Sequence, residues 1–313
     1  MTKSVRGRST VPMIRSGGTM EAISQEQLDA LAEQRAFADL SAWRKVRLYG
    51  EDAAQWLHDL VTTDVLSIRP GHTRRSLLLS PTGRIRADFT VARDETSLLL
   101  LQVPDQPDHV GLLLGPYILS SDVLLEDATT SALLFAVLDD AAGRVGLPGL
   151  EPSVTGPGMD VIVRDGKPAR RVEDMLVKKQ LTEVGAAALD VRRIRLGIAK
   201  MGTDFPADAL PSEAGLEDTI DRTKGCFLGQ ESVAKVRNLG HPASVLRHLH
   251  TDVRLGADAR LTSTVGAPGG VVTSAAPDAN GGTFLLARVP WETRADALIA
   301  DEQTLLTDVD GPS

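Results

Sequence analysis

The residues best suited to do chemistry stand together in Lys224-Gly225-Cys226-Phe227-Leu228-Gly229-Gln230-Glu231. This octet holds the only cysteine of the 313-residue chain. A thiol reacts as its thiolate, and a lysine two positions upstream favours that form electrostatically. Gly225 and Gly229 let the backbone take left-handed or crowded conformations that other residues resist. Gln230-Glu231 then opens a helix. The plainer alternative is a glycine-rich loop ahead of a helix, with a buried and inert cysteine, since free cysteine is among the residue types most often buried.

Composition removes several classes. One cysteine excludes an internal disulfide and any metal site made from several cysteines. No His-Glu-x-x-His or cysteine–histidine spacing is present, so no metal is expected to be bound by this chain alone. There is no phosphate-binding P-loop and no dinucleotide fingerprint after a strand. The net charge of −8 argues against direct contact with nucleic acid. No run of about 18 apolar residues exists, so no membrane span is expected. The single cysteine fits a reducing, cytoplasmic setting. Residues 1–20 carry Lys3, Arg6, Arg8 and Arg15 without an acid and read as a disordered leader, a mitochondrial transit peptide being the alternative.

The elements that must carry the octet follow from periodicity. Helical spacing runs over Glu21–Phe37, and again after Glu51-Asp52 with Trp56, Leu57, Leu60 and Val61 inward. Trp43–Tyr49 alternates as a strand. Ser76–Ser80, the Pro81-Thr82-Gly83 turn, Arg84–Val91 and the leucine-rich Ser97–Val103 form a meander. Helices are expected over Asp105–Leu114, Asp174–Val184, Ala186–Gly197 and Ser232–Arg237. Strands are expected over Val123–Asp127, Leu133–Leu138 and Asp160–Arg164. Strands and helices that alternate without long βαβ spacing predict an α+β class. Arg192, Arg193 and Arg195 read as a solvated helix face, with an anion contact as the alternative. Residues 199–213 form a long loop of the kind that is often functional. Asn238-Leu239-Gly240-His241-Pro242 is a stop signal. Beyond it, short strands such as Ser244–His250 and Thr283–Ala287 predict a small β-barrel or sandwich.

The octet resembles the Lys-Gly-Cys-aromatic-x-Gly-Gln-Glu signature of the YgfZ family, folate-binding proteins linked to iron–sulfur cluster assembly or repair. That family is similar in fold to the aminomethyltransferase (T-protein) of the glycine cleavage system. Asp39-Leu40-Ser41, Val46, Leu48, Gly50, Asp52, Leu57, Leu60, Thr63-Asp64-Val65 and Pro70-Gly71 follow the opening shared by both groups. So do the Leu79–Val91 strand turn with Gly83 and Asp88, the Arg195-Leu196-Gly197 segment, Gly202 and Pro211-x-Glu213-Ala214. The resemblance covers residues 23 to 245. It departs where the T-protein has two adjacent acids, here Ala87-Asp88, and where its pterin-binding glutamate is matched by Arg195. A guanidinium cannot accept hydrogen bonds from a pterin N–H edge.

The resemblance implies a three-domain ring of T-protein/YgfZ type: two ferredoxin-like α+β domains and a C-terminal β-barrel. Residues 21–45 and 135–240 would form a discontinuous domain carrying the octet, 46–134 an inserted domain, and 241–313 the barrel. Tetrahydrofolate or a derivative would bind at the central opening, lined by the octet residues Gly225, Phe227, Gly229, Gln230 and Glu231 and by Glu213. Lys224, Arg195 and Arg237 would hold the anionic tail and Asp88 the pterin edge. Cys226, with Lys224 beside it, would act in redox, in transient cluster contact or in a one-carbon step. The implied function is a tetrahydrofolate-binding accessory protein for iron–sulfur enzymes, including tRNA-modifying ones, with those clients or assembly factors as partners. The alternatives are a folate-dependent aminomethyl- or methyltransferase and a non-catalytic tRNA-contacting scaffold.

Overall fold

The computed structural model describes residues 13–16, 19–164, 169–300 and 304–309. The expected leader lies outside the described residues up to position 12. Its remainder contributes to an antiparallel pair, β1 (Met13–Ser16) with β2 (Thr19–Ala22), in place of the disorder expected there. Ser24 caps α1 (Gln25–Ala32), its hydroxyl accepting the Gln27 N–H at 3.2 Å. The helix stops short of Phe37 because Gln34 turns left-handed at φ 53°. The chain then enters β3 (Ala36–Asp39). Ala36, Phe37 and Ala38 are all buried, as a strand covered on both faces requires.

Two α+β sheets follow. β4 (Arg44–Tyr49), α2 (Ala53–Leu60), β5 (His72–Leu79), β6 (Ile85–Arg93), β7 (Leu98–Gln102), α3 (Val110–Leu114) and β8 (Leu124–Asp127) build an antiparallel sheet of order β5-β6-β7-β4-β8. β9 (Leu133–Leu138) returns to pair with β3. With α4 (Ala142–Val145), β10 (Gly158–Val163), α5 (Ala169–Lys178) and β11 (Thr182–Glu183) it completes a second sheet, β10-β9-β3-β11. The helix expected to reach Val184 ends early, because Gln180 is left-handed at φ 62° and β11 pairs parallel to β3. α6 (Ala186–Arg195) and α7 (Gln230–Leu239) lead to the C-terminal strands. These are β12 (Ser244–Thr251), β13 (Arg260–Ser263), β14 (Pro268–Pro277), β15 (Thr283–Pro290), β16 (Leu298–Ala300) and β17 (Thr304–Asp308), which close into a six-stranded barrel. The fold is thus α+β, with two ferredoxin-like sheets and a small C-terminal barrel. Among the described residues no helix is long and apolar enough to cross a membrane.

Strand β7, within the five-stranded sheet, is apolar on both faces. Leu98 and Leu100 of β7 join the core beneath α2, while Leu99 and Leu101 join the core beneath α6. Alternation along β6 has the same origin. Ala87, Phe89 and Val91 belong to the α2 core, and Asp88 and Thr90 border a cleft that α6 lines on its other side.

The octet docks against the β5–β6 turn. Phe227 is buried among Leu77, Leu79, Ile85, Met201 and Phe205. Gly229 begins α7 at φ +83°, and a Cβ there would stand 2.4 Å from the Ser80 carbonyl oxygen. The Ser232 hydroxyl donates to Pro81 O at 2.9 Å, so turn and helix are stitched together. Gly225, by contrast, has no heavy atom within 4 Å of a Cβ position. Gly229→Ala is therefore expected to cost about 2 kcal/mol or more in urea unfolding, and Gly225→Ala no more than about 0.5 kcal/mol. Equal losses at the two sites would contradict this docking.

Candidate functional site

A cleft of about 480 Å³ opens between the five-stranded sheet, the 152–156 loop, α6 and the segment after it. Its walls are largely apolar, from Trp43, Leu101, Val103, Leu189 and Ile198. Asp88 stands on the sheet side of this lining. Arg75 grips that carboxylate in a bidentate pair, Nε to Oδ1 at 2.8 Å and Nη2 to Oδ2 at 2.5 Å. Arg75 Nη2 also donates to Ala199 O at 2.9 Å. Burial works against the guanidinium charge, but Asp88 outweighs it and holds Arg75 above its ordinary value.

The backbone at Asp88 is fixed as well. β7 ends at Gln102, and the Gln106 side chain supplies the missing rung, accepting Asp88 N–H at 3.1 Å and donating to Asp88 O at 2.6 Å. This use of Gln106 explains why the helix expected from Asp105 begins only at Val110. On the opposite wall, Arg193 donates to Asp190 (2.5 Å), Asp204 (2.7 Å) and Ser274 Oγ (3.0 Å). Lys200 pairs with Asp105 at 2.7 Å. Each of the cations Arg75, Arg193 and Lys200 is matched by a lining carboxylate, Asp88, Asp190 and Asp105 respectively, so the cleft offers paired rather than loose charge.

Asp88 is the one residue singled out for folate binding that borders this cleft. Lys224 is buried, and its ammonium donates to the carbonyls of His58 and of Val61 (2.6 Å) at the C-terminal end of α2. It also stands 5.3 Å from the centroid of the Phe227 ring. Cys226 is exposed, Gly225 is exposed, and Gln230 is half-buried with its N–H on Phe227 O. Glu231 is exposed and pairs with Lys235 one turn on. Glu213 accepts the N–H groups of Leu210 and Ala243. Arg195 donates twice to Pro277 O, at 3.0 and 2.6 Å, and so ties α6 to the barrel. Arg237 borders a separate cavity of about 210 Å³ beside His241 and Trp291. Lys224, Arg195 and Arg237, expected around one anion, stand at three different places.

The arginine face of α6 is not solvated, contrary to expectation. Arg192 is buried against Asp139 and the carbonyls of Thr155 and Pro157. Its neighbours Arg193 and Arg195 are matched as described. Sequence reasoning also missed Arg75, which lies between Arg74 and Ser76 and so carried no local signal that set it apart. It missed Gln106 and Asp204, which carried none. Ala87 faces the α2 core, so an apolar residue there removes no carboxylate from the cleft.

Residues 11–138 match the family model described as the GCVT N-terminal domain. A chloroplastic protein of Arabidopsis thaliana is 26% identical over 239 residues, spanning 67% of this chain but only 55% of that protein. The aminomethyltransferase of Bacillus velezensis is 22% identical, over 71% of this chain and 69% of its own. A mitochondrial iron–sulfur cluster assembly factor of Mycosarcoma maydis, an IBA57 homolog, is 26% identical, over 76% of this chain and 62% of its own. The crystal structure of glycine cleavage system aminomethyltransferase T from Bartonella henselae superposes with a TM-score of 0.77 at 20% identity, covering 95% of this chain and 92% of that one. The chain therefore has the T-protein fold.

Burial lowers the Lys224 amine to about 8 from 10.5, against the pull of Asp59, Asp64 and Asp221. The folded state thus holds this proton less tightly than the unfolded state, so stability rises with pH between about 8 and 10.5. A neutral amine keeps two N–H groups and can still serve both carbonyls. Unfolding measured against pH should show this rise in the wild type and its loss in Lys224→Met. Parallel curves would reject the burial argument.

Proposed function

We propose that the chain binds tetrahydrofolate or a derivative in the 480 Å³ cleft and belongs to the YgfZ group, supporting iron–sulfur cluster assembly or repair. The observation that carries the reading is Asp88. A carboxylate is an acceptor-only group, and each Asp88 oxygen, bonded once by Arg75, has a lone pair left for the N–H donors of a pterin edge. The Arg75 clamp and the Gln106 rung hold it still before a ligand arrives, which lowers the ordering cost of binding. Trp43, Val103 and Leu189 give apolar surface for a flat ring, and the volume falls within the usual range for small-molecule sites. Lys200 is the cation available to a folate tail, at the expense of its pair with Asp105.

The iron–sulfur part of the reading rests on the octet and on the Mycosarcoma maydis relative. Cys226 lies exposed and outside the cleft lining, where a partner can reach it without displacing folate. An aminomethyltransferase reading stays in play for one specific reason. The change to Ala87 falls on the core side of β6 and leaves the cleft carboxylate intact.

Calorimetric titration should detect binding of tetrahydrofolate and its 5-formyl derivative, and Asp88→Asn should weaken it about tenfold or more. Absence of binding to the wild type would end the folate reading, and an unaltered affinity in the variant would remove Asp88 from the site. Cys226→Ala should keep the fold and folate affinity while failing to restore iron–sulfur enzyme activity in a deletion strain. Full restoration would refute the role given to the thiol. Transfer of a one-carbon unit from an amine donor to tetrahydrofolate would move the transferase reading to the front.

A further inference from the structure

Beneath the cleft wall, Asp160 of β10 is fully buried. Ser153 Oγ lies 2.6 Å from its Oδ1, and the Val154 N–H donates to Oδ2 at 2.8 Å. Ser153 Oγ also stands 3.0 Å from Thr155 Oγ1. Ser153 and Thr155 both border the cleft. A continuous chain, Asp160–Ser153–Thr155, therefore runs from a carboxyl sealed away from solvent to the cavity surface.

A hydroxyl carries one proton and two lone pairs, so the chain has two complete arrangements. With Asp160 ionised, Ser153 donates to Oδ1 and accepts the Thr155 O–H, and Thr155 turns only lone pairs to the cleft. With Asp160 protonated, the acid O–H donates to Ser153, Ser153 donates to Thr155, and the Thr155 proton points outward. The Thr155 N–H, 3.2 Å from Ser153 Oγ, fills the remaining lone pair in both. We infer that Asp160 is a positioning residue acting through Ser153 and Thr155, deciding whether the cleft wall offers its ligand an acceptor or a donor.

Two facts bring this switch near neutrality. Burial raises Asp160 to about 7, although Ser153 and Val154 both favour the ionised form. The charged groups on the packed elements are matched elsewhere: Arg192 with Asp139 and Arg193 with Asp190 and Asp204 on α6, Arg75 with Asp88 on the sheet, and Arg164 with Asp94 at the end of β10. Glu151, at the start of the loop, is exposed.

The ligand half of this inference rests on the folate reading; the relay itself does not. Carbon NMR of the Asp160 carboxyl in the full, ligand-free chain should titrate. Ser153→Ala should raise the midpoint by removing a donor to the carboxylate. Thr155→Val should lower it, because the protonated arrangement loses the acceptor of the Ser153 O–H, whereas in the ionised one Ser153 loses one of two donors and keeps the Thr155 N–H. A midpoint unmoved by Thr155→Val overturns the relay. Tetrahydrofolate affinity is then compared with that of Asp160→Asn, whose amide N–H mimics the protonated acid. The two should agree one unit below the midpoint and differ by about three- to tenfold one unit above it, whereas a constant ratio overturns the inference. Should Asp160→Asn fail to fold, Thr155→Val replaces it and should flatten the wild-type profile. If tetrahydrofolate binds at neither pH, the folate reading fails, and the carboxyl titration still decides the relay.

Discussion

One buried charge pair organises the molecule: Arg193 of α6 with Asp204. The Asp204 side chain is sealed from solvent, and it also accepts the Lys200 N–H and the hydroxyls of Thr273 and Ser274. Helix, the segment after it and barrel strand β14 meet on that single carboxylate. Removing one partner of such a pair leaves an uncompensated charge and typically costs about 3–5 kcal/mol. Because Arg193 and Lys200 also border the cleft, the attachment of the barrel and the shape of the cleft wall rest on the same group. Arg195 on Pro277 O adds a second tie between the same two elements.

The octet has a related but distinct place. Its lysine plugs the end of α2, its phenylalanine fills a core, and its second glycine lets α7 sit on the β5–β6 turn. That turn leads into the strand bearing Asp88. Phe227 shares its core with Ala199 and Met201, whose other sides face the cleft. The exposed Cys226 is thus carried on a buttress of the cleft rather than in its wall.

Local pattern made much of this legible. The Pro81-Thr82-Gly83 turn, the leucine run of β7 and the punctuated C-terminal strands each declare themselves through neighbours in sequence. Asp88 could be singled out because an acid after Gly83 follows a shared strand turn. The rest depends on partners far along the chain. Whether Arg192, Arg193 and Arg195 face water or protein is decided by Asp139, Asp204 and Pro277, which helical periodicity does not register. Lys224 and Cys226 are two residues apart, yet one is buried in a carbonyl cage and the other exposed. That contrast comes from the packing of α2 against the octet loop. Gln106 replaces a strand rung with a side chain, and no propensity marks such a use.

The leucine run of β7 carries a further consequence. A strand with one wet face resists a shift in pairing, because slipping by a single residue drives its apolar side chains into water. Leu98–Leu101 lacks that safeguard: a slip would exchange one pair of leucines for the other between two equally dry cores. The deciding residue is Gln102 at the end of the run. Its side chain accepts the Val110 N–H at 3.0 Å and donates to Asp108 O at 2.9 Å and Gln106 Oε1 at 3.0 Å. In the slipped pairing Gln102 would swing to the opposite face and lose all three bonds. A single polar side chain thereby proofreads the alignment of a strand that hydrophobicity alone leaves ambiguous.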